Sequence, residues 1–389
     1  MSIFSLTARK KPKLFAVVDI GSHLIRALIF EERVRDSAPR VIKKMVIKLP
    51  ASYDKERIFN RLRELMFAMV KELERIPEKI TVALGPHLVE HSFKVWTATN
   101  LDIYKKINRQ ELNSYFRNLF EENKGKEFSA LAYPLGLLIN GYPVNIKDIE
   151  SRAKSLIVLP ARINIGFKVL FLVFTREVGK ILSDMKASLG GMPIEFIPLV
   201  AATQEALTKT LGIKDGFLVD VGGEETTLIY LKDGEICETV KFSLGARHFL
   251  RGITRIAAIS FEEAEDVKRQ YVQGMLSESK KQELNDFFRK EAELWQKMFL
   301  EALDSFYHIG PIPPKILLFG GGAYLPEIAG ILRDPSWFKN FSSFDAAELK
   351  ILEAENLFEG NTCNGFIKGP ADVGLASLIA YSTKHEPVF

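Results

Sequence analysis

The chain has 389 residues, more than one hydrophobic core usually serves, so two or more packed subdomains are expected. Its 47% hydrophobic and 26% charged residues suit an ordinary globular protein. A net charge of +4, with basic clustering only at Arg9 to Lys13, argues against nucleic acid as a partner. Two distant cysteines, Cys237 and Cys363, exclude a disulfide framework and point to a reducing compartment. Apolar runs such as Val169 to Phe174 are too short to span a bilayer as a helix, and the first residues lack the order of a secretory signal. The expected location is cytoplasmic, with the membrane reached through a partner.

In chain order, Leu14 to Phe30 reads as a β-hairpin: an apolar run, the turn Asp19-Ile20-Gly21-Ser22, then a second apolar run. Residues 54–75 carry apolar spacing near 3.6 and predict an amphipathic helix, followed by a strand at 79–84. Residues 86–175 form a separate unit, with a helix over 108–123 and strands over 128–139, 155–159 and 163–174. Asn140-Gly141 marks a tight turn within it. Helix over 176–189, strand over 194–199 and helix over 201–211 follow. Gly216 to Leu231 then repeats the opening hairpin around Asp220-Val221-Gly222-Gly223, with the two aspartates 201 residues apart. Helices are predicted over 261–273 and 279–307, a strand into Gly320-Gly321-Gly322 over 315–326, and a closing helix over 371–381.

Glycine and serine turns let backbone N–H groups approach phosphate oxygens, and an acidic side chain can face a divalent cation through its waters. The first hairpin offers Gly21 and Ser22 for that approach, Asp19 for a Mg²⁺ shell and Arg26 for a phosphate. The second offers Asp220, Gly222 and Gly223, and the third turn would let a base and ribose lie against Gly320, Gly321 and Gly322. None of these is a Walker A loop or a Rossmann fingerprint.

The series Asp19-Ile-Gly-Ser with Arg26, Asp220-Val-Gly-Gly with Thr226, Gly320-Gly-Gly-Ala-Tyr-Leu-Pro and Asp372-Val-Gly-Leu-Ala resembles the motifs of the actin-like ATPase superfamily. The resemblance implies an α/β fold of two duplicated ribonuclease-H-like halves. It also implies ATP with Mg²⁺ in the cleft between them, with Glu265 and Lys268 of the segment 261–271 at ribose and adenine. Within the superfamily the chain looks most like the FtsA and PilM group, whose strand-helix-strand-strand insert corresponds to residues 86–175, and Ile139 to Val144 resembles FtsA in particular. On this pattern the first half comprises 12–85, 176–191 and 365–389. The second comprises 192–364, with a helical lobe near 246–308.

Three departures matter. Glu224 and Glu225 stand where the second phosphate motif usually has Gly and Thr, so either the glutamates point away, or one joins the Mg²⁺ shell, or hydrolysis is weak. Gly245-Ala246 stands for an expected Gly-Gly pair, and no amphipathic membrane helix follows the closing helix. The resemblance places a residue that orients an attacking water on the helix before the second hairpin, where Gln204 and Glu205 stand, with Gln204 the first choice over a solvated helix face.

The pattern His87-x-x-Glu90-His91 has the residue types of a zinc protease site, but its continuation alternates like a strand. His23 lies in the first turn, where it is a surface imidazole or a phosphate contact. The stripe Leu284, Phe288, Trp295, Met298, Phe299, Ala302, Phe306 reads as a core-facing helix side, and Ile3, Phe4 and Leu6 with the basic cluster as a tail too short to anchor alone. The expectation is an ATP-binding, FtsA-like cytoplasmic scaffold in cell division, at most a slow Mg²⁺-dependent ATPase. Its partners would be a tubulin-like division protein, a membrane-protein tail or further copies of itself. The alternatives are a PilM-like pilus-assembly scaffold, a small-molecule kinase or phosphatase of the superfamily, and a degenerate relative that binds no nucleotide.

Overall fold

Strand β1 (Leu14–Ile20) is buried along its whole length and pairs antiparallel with β2 (Leu24–Glu31), placing Asp19 opposite Arg26. A run that is apolar on both faces belongs at the centre of a covered sheet. The computed structural model describes residues 12–32, 39–50, 54–102, 109–123, 129–144, 162–358 and 365–384. Strand β3 (Arg40–Lys48) adds to β2, and helix α1 (Lys55–Lys71) follows. The Asp54 carboxylate accepts the Glu56 and Arg57 N–H groups, satisfying donors that a helix start leaves open. Helix α1 buries Ile58, Phe59, Leu62, Leu65, Met66 and Met69, a stripe of helical spacing. Strand β4 (Lys79–Leu84) lies parallel to β1.

The next unit is antiparallel. It contains β5 (Glu90–Asp102), α2 (Arg109–Asn123), β6 (Ser129–Ile139), β7 (Tyr142–Val144) and β8 (Arg162–Phe174), in sheet order β5-β8-β6-β7. Asn140 and Gly141 have φ of 52° and 84° between the paired Ile139 and Tyr142, the left-handed pair that a two-residue hairpin requires. The predicted strand at 155–159, like Cys363 and the N-terminal apolar-basic segment, lies outside the described residues. Helix α2 sets Leu112 and Phe116 on Leu137, Phe167 and Val169.

Helix α3 (Arg176–Ser188) and β9 (Ile194–Pro198) complete the first sheet, in order β3-β2-β1-β4-β9. After α4 (Leu199–Leu211), strands β10 (Gly216–Val221), β11 (Thr226–Lys232) and β12 (Glu235–Phe242) precede α5 (Ala246–Ala257), α6 (Phe261–Val272) and α7 (Glu278–Leu303). Strand β13 (Lys315–Phe319), α8 (Pro326–Arg333), α9 (Pro335–Phe341) and β14 (Glu348–Ile351) close the second sheet, β12-β11-β10-β13-β14. Position by position, the two sheets share strand order and sense, so the duplicated hairpins belong to duplicated sheets.

Helix α10 (Val373–Lys384) returns to the first sheet and packs Val373, Leu375, Leu378 and Ile379 into one core with α4. The aromatic stripe of α7 is core: Phe288, Trp295 and Phe299 are fully buried, each worth about 2–3 kcal/mol by apolar burial. No described helix is long and apolar enough to cross a membrane.

Candidate functional site

Parallel pairing brings the ends of β1 and β4 to one edge, and those of β10 and β13 to the corresponding edge of the second sheet. The two Asp-x-Gly turns therefore meet. The Glu224 N–H donates to Ser22 Oγ at 2.9 Å, and a Cβ on Gly223 would fall 2.6 Å from the same oxygen. Helix α5 is seated on the second turn, its Ala246 and Arg247 N–H groups donating to the Gly222 and Gly223 carbonyls at 2.8 Å. Gly245 allows this, since a Cβ there would lie 2.5 Å from the Gly223 oxygen.

Arg247 is 1% exposed and joins the two halves. Its guanidinium donates to the Ser22 carbonyl at 2.8 Å and to the Pro50 carbonyl, its Nε lies 3.2 Å from Glu224, and it stands over the Phe261 ring. Arg251 completes a two-pronged pair with Glu224 at 2.9 and 3.0 Å. Glu224 thus turns away from the phosphate turns. A second tie runs from Glu265 to His23 Nε2 at 2.9 Å and to Lys48 Nζ at 2.8 Å.

These contacts divide the cleft. The outer cavity, about 630 Å³, is lined by His23, Gly223, Arg247, Leu250, Glu265, Lys268, Val272, Gly321 and Tyr324 among others. That volume suits a nucleoside-sized ligand, and its walls combine apolar surface with a few polar groups. The Lys268 ammonium donates to the Gly321 carbonyl at 2.9 Å, and burial pulls its pKa down to about 8. The inner cavity, about 90 Å³, is lined by Asp19, Gly21, Arg26, His87, Asp220, Glu225, Thr227, Gly320 and Gly321 among others.

Charge in the inner well is unbalanced. Burial, then repulsion from Asp19 and Glu225, pushes Asp220 up to about 7. Burial likewise pushes Glu225 up to about 7, and one of its carboxylate oxygens is buried without a hydrogen-bond partner. Burial holds His87 down at about 3, in the neutral form. Arg26 is committed to Asp19, to Asp372 at 2.8 Å and to the Ala371 carbonyl at 2.5 Å, while Lys44 holds the other Asp372 oxygen at 2.8 Å.

Among the described residues there is no group of three or more His, Cys, Asp or Glu placed to hold a metal directly. The donor set suits a hydrated ion instead. Mg²⁺ keeps several waters and needs only one or two carboxylates, which Asp19 and Asp220 offer.

Most residues singled out in the sequence converge here. Asp19, Gly21, Asp220 and Gly320 line the inner well, Gly223, Glu265 and Lys268 the outer cavity, and Gly321 both. Ser22 and Gly222 sit at the junction, and Gly322 packs against Val221.

Three assignments need correction. Gln204 does not reach the cleft: its amide donates to the Gly234 carbonyl, beyond the far end of β11, because α4 meets the well only at Leu199. Thr226 is fully buried, donating to the Leu244 carbonyl at 2.7 Å and accepting from Trp295 Nε1 at 3.0 Å. Strand alternation presents its neighbour Thr227 to the well instead. Arg26 reaches the well, but as the counterion of two carboxylates and not as an uncommitted phosphate donor.

Arg247 and Tyr324 line the outer cavity and Glu225 and His87 the inner one, positions that the sequence did not assign to them. His87 lies in a turn and His91 in β5, so the two do not share a helix face. A glycine clash gives a first test. Gly320 has φ of 92°, and a Cβ there would meet Asp220 Oδ1 at 2.4 Å and the Val221 carbonyl at 2.5 Å. Gly320→Ala is expected to cost about 2–4 kcal/mol, read as a lower urea midpoint at unchanged slope.

The comparisons agree with this architecture. The sequence model of the family described as cell division protein FtsA matches residues 217–346. No curated protein sequence matches the chain. Among solved structures, the PilM-PilN type IV pilus biogenesis complex aligns with a TM-score of 0.62 at 15% identity, over 95% of this chain and 98% of that one. Ethanolamine utilization protein EutJ from Carboxydothermus hydrogenoformans aligns at 0.46 and 15% identity over 95% and 89% of the two chains. MreB5 of Spiroplasma citri bound to ADP aligns at 0.43 and 11% identity, over 95% and 96%. The fold is the actin-like ATPase fold. Over residues 217–346 the chain resembles the FtsA family, and over most of its length its fold is similar to that of the PilM-PilN match.

Proposed function

We propose that this chain is a nucleotide-binding cytoplasmic scaffold of the FtsA kind, acting in cell division. The observation that carries the reading is the division of the cleft into a basic, nucleoside-sized outer cavity and a carboxylate-lined inner well, both built by duplicated hairpins. An adenine nucleotide with Mg²⁺ is the ligand class. Glu265 and Lys268 would meet the nucleoside, the Ser22 and Gly223 turns the phosphates, and Asp19 and Asp220 the waters of the metal. The bound cation would supply the positive charge that the inner well lacks. Hydrolysis, on this reading, is slow at most, since Gln204 is out of reach.

The division role is favoured by the FtsA pattern over 217–346. A pilus-assembly role is favoured by the whole-length likeness to the PilM-PilN complex. In either case the partner is a protein: a tubulin-like division protein or further copies of this chain in the first, a short tail of a membrane protein in the second. Pull-downs with those two baits, each with and without nucleotide, separate the readings. Retention of the tubulin-like protein supports division, retention of the membrane-protein tail supports the pilus role, and retention of neither by a chain that also stays monomeric in sedimentation contradicts the scaffold reading.

A further inference from the structure

We propose that the cleft selects a nucleoside diphosphate over the corresponding triphosphate, and that Glu225 is the residue that keeps the terminal phosphate out. The inference rests on the nucleotide reading above and specifies its ligand.

The argument begins with room. A triphosphate entering from the outer cavity must pass its last phosphate between the two Asp-x-Gly turns. Those turns are in contact, with the Glu224 N–H on Ser22 Oγ and Gly223 packed against the same side chain. Arg247 ties the junction by donating to the carbonyls of Ser22 and Pro50. Beyond the junction only about 90 Å³ is available, against about 630 Å³ outside.

Charge acts in the same direction. Around the outer cavity stand Lys268, Arg247 paired with Glu224, Arg269 paired with Asp266, and His23, whose charged form burial disfavours, with Glu265 as the one carboxylate in the lining. The inner well has the opposite balance, with Asp19, Asp220 and Glu225 against Arg26, which Asp19 and Asp372 already engage, and against Lys55 and Lys241 near Glu225, of which Lys241 already holds Glu90 and the Pro86 carbonyl. A hydrated divalent cation held by Asp19 and Asp220 would offset that pair and leave Glu225, one of whose carboxylate oxygens is buried without a hydrogen-bond partner, as the carboxylate of the turn that lines the well, while Glu224 pairs with two arginines. A phosphoryl group placed there would meet it in a poorly screened space. Two phosphates can remain on the basic side of the junction, but a third cannot.

Isothermal calorimetry of the full chain with ADP and with ATP, both with Mg²⁺, tests this. The expected result is ADP binding at least about tenfold tighter than ATP. In Glu225→Gln, which keeps the shape and removes the charge, the ratio should fall to within about threefold, with ATP gaining most of the difference. ATP binding as tight as ADP in the wild-type chain would overturn the inference while leaving the nucleotide reading intact. An unchanged ratio in the variant would overturn the assignment to Glu225. Binding of neither nucleotide by a chain whose thermal unfolding shows it to be folded would remove the nucleotide reading and this inference together.

Discussion

Arg247→Ala is expected to destabilise the protein by about 3–5 kcal/mol and to separate the two halves of the cleft. The residue is 1% exposed, and its guanidinium is the shared partner of Ser22 and Pro50 in the first half and Glu224 in the second. Truncation leaves the buried Ser22 carbonyl and the part-buried Pro50 carbonyl without their donor, and a cavity over Phe261. Glu224 keeps Arg251, so the loss is one of bridging more than of unpaired charge. Arg247→Lys should not restore the tie, because a single ammonium cannot reproduce a planar fork spanning two carbonyls and a carboxylate. Urea unfolding measures the stability, and small-angle scattering the separation. A variant with wild-type midpoint and unchanged radius of gyration would show that the halves do not depend on this bridge.

The second large effect is pH-dependent. Folding raises Asp220 from 3.8 to about 7, so the folded chain binds that proton more tightly than the unfolded one. The associated stability is fully present below the unfolded value and is lost as pH rises through about 7. Asp220→Asn removes the titration. At pH 8 the variant should therefore be more stable than wild type, by about 1–3 kcal/mol after allowance for water in the inner well, and the difference should shrink towards pH 4. Millimolar Mg²⁺ should narrow the gap at pH 8 by stabilising the wild-type carboxylate. Thermal unfolding of both proteins between pH 4 and pH 8 checks this. A difference independent of pH would mean that Asp220 is not strained in its charged form.

The duplicated hairpins were legible in the sequence because the signal is local. An uninterrupted apolar run, an Asp-x-Gly turn and a second run define a buried hairpin without reference to the rest of the chain. The predicted strand at 79–84 and the aromatic face of the long helix were legible for the same reason: period and length suffice.

What was not legible depends on tertiary partners. Strand β3 carries Lys43, Lys44 and Lys48, which look like a solvated stretch until Glu72, Asp372 and Glu265 arrive to pair them. Helix α5 hides Arg247 in its first turn, where an arginine in sequence reads as surface. Thr226 and Thr227 differ only in which side of β11 they face, and one residue of register moves a side chain from the cleft to the core. Gln204 failed for the corresponding helical reason, since α4 runs away from the cleft after Leu199. Of the outcomes weighed for the paired glutamates, pointing away is seen at Glu224, which turns to its arginines, whereas Glu225 lines the well.

The central claim is that the outer cavity holds the nucleoside. Gly321 offers a direct test, because a Cβ there meets nothing within 4 Å and the residue lines the cavity. Gly321→Leu should fill the nucleoside's place and leave the fold intact. Calorimetric titration of ADP with Mg²⁺ into both proteins is the measurement. The account predicts micromolar binding to wild type, on the scale of about −8 kcal/mol, and no measurable binding to a variant whose unfolding temperature is unchanged. Equal binding by the two proteins, or none by the wild type, would contradict it.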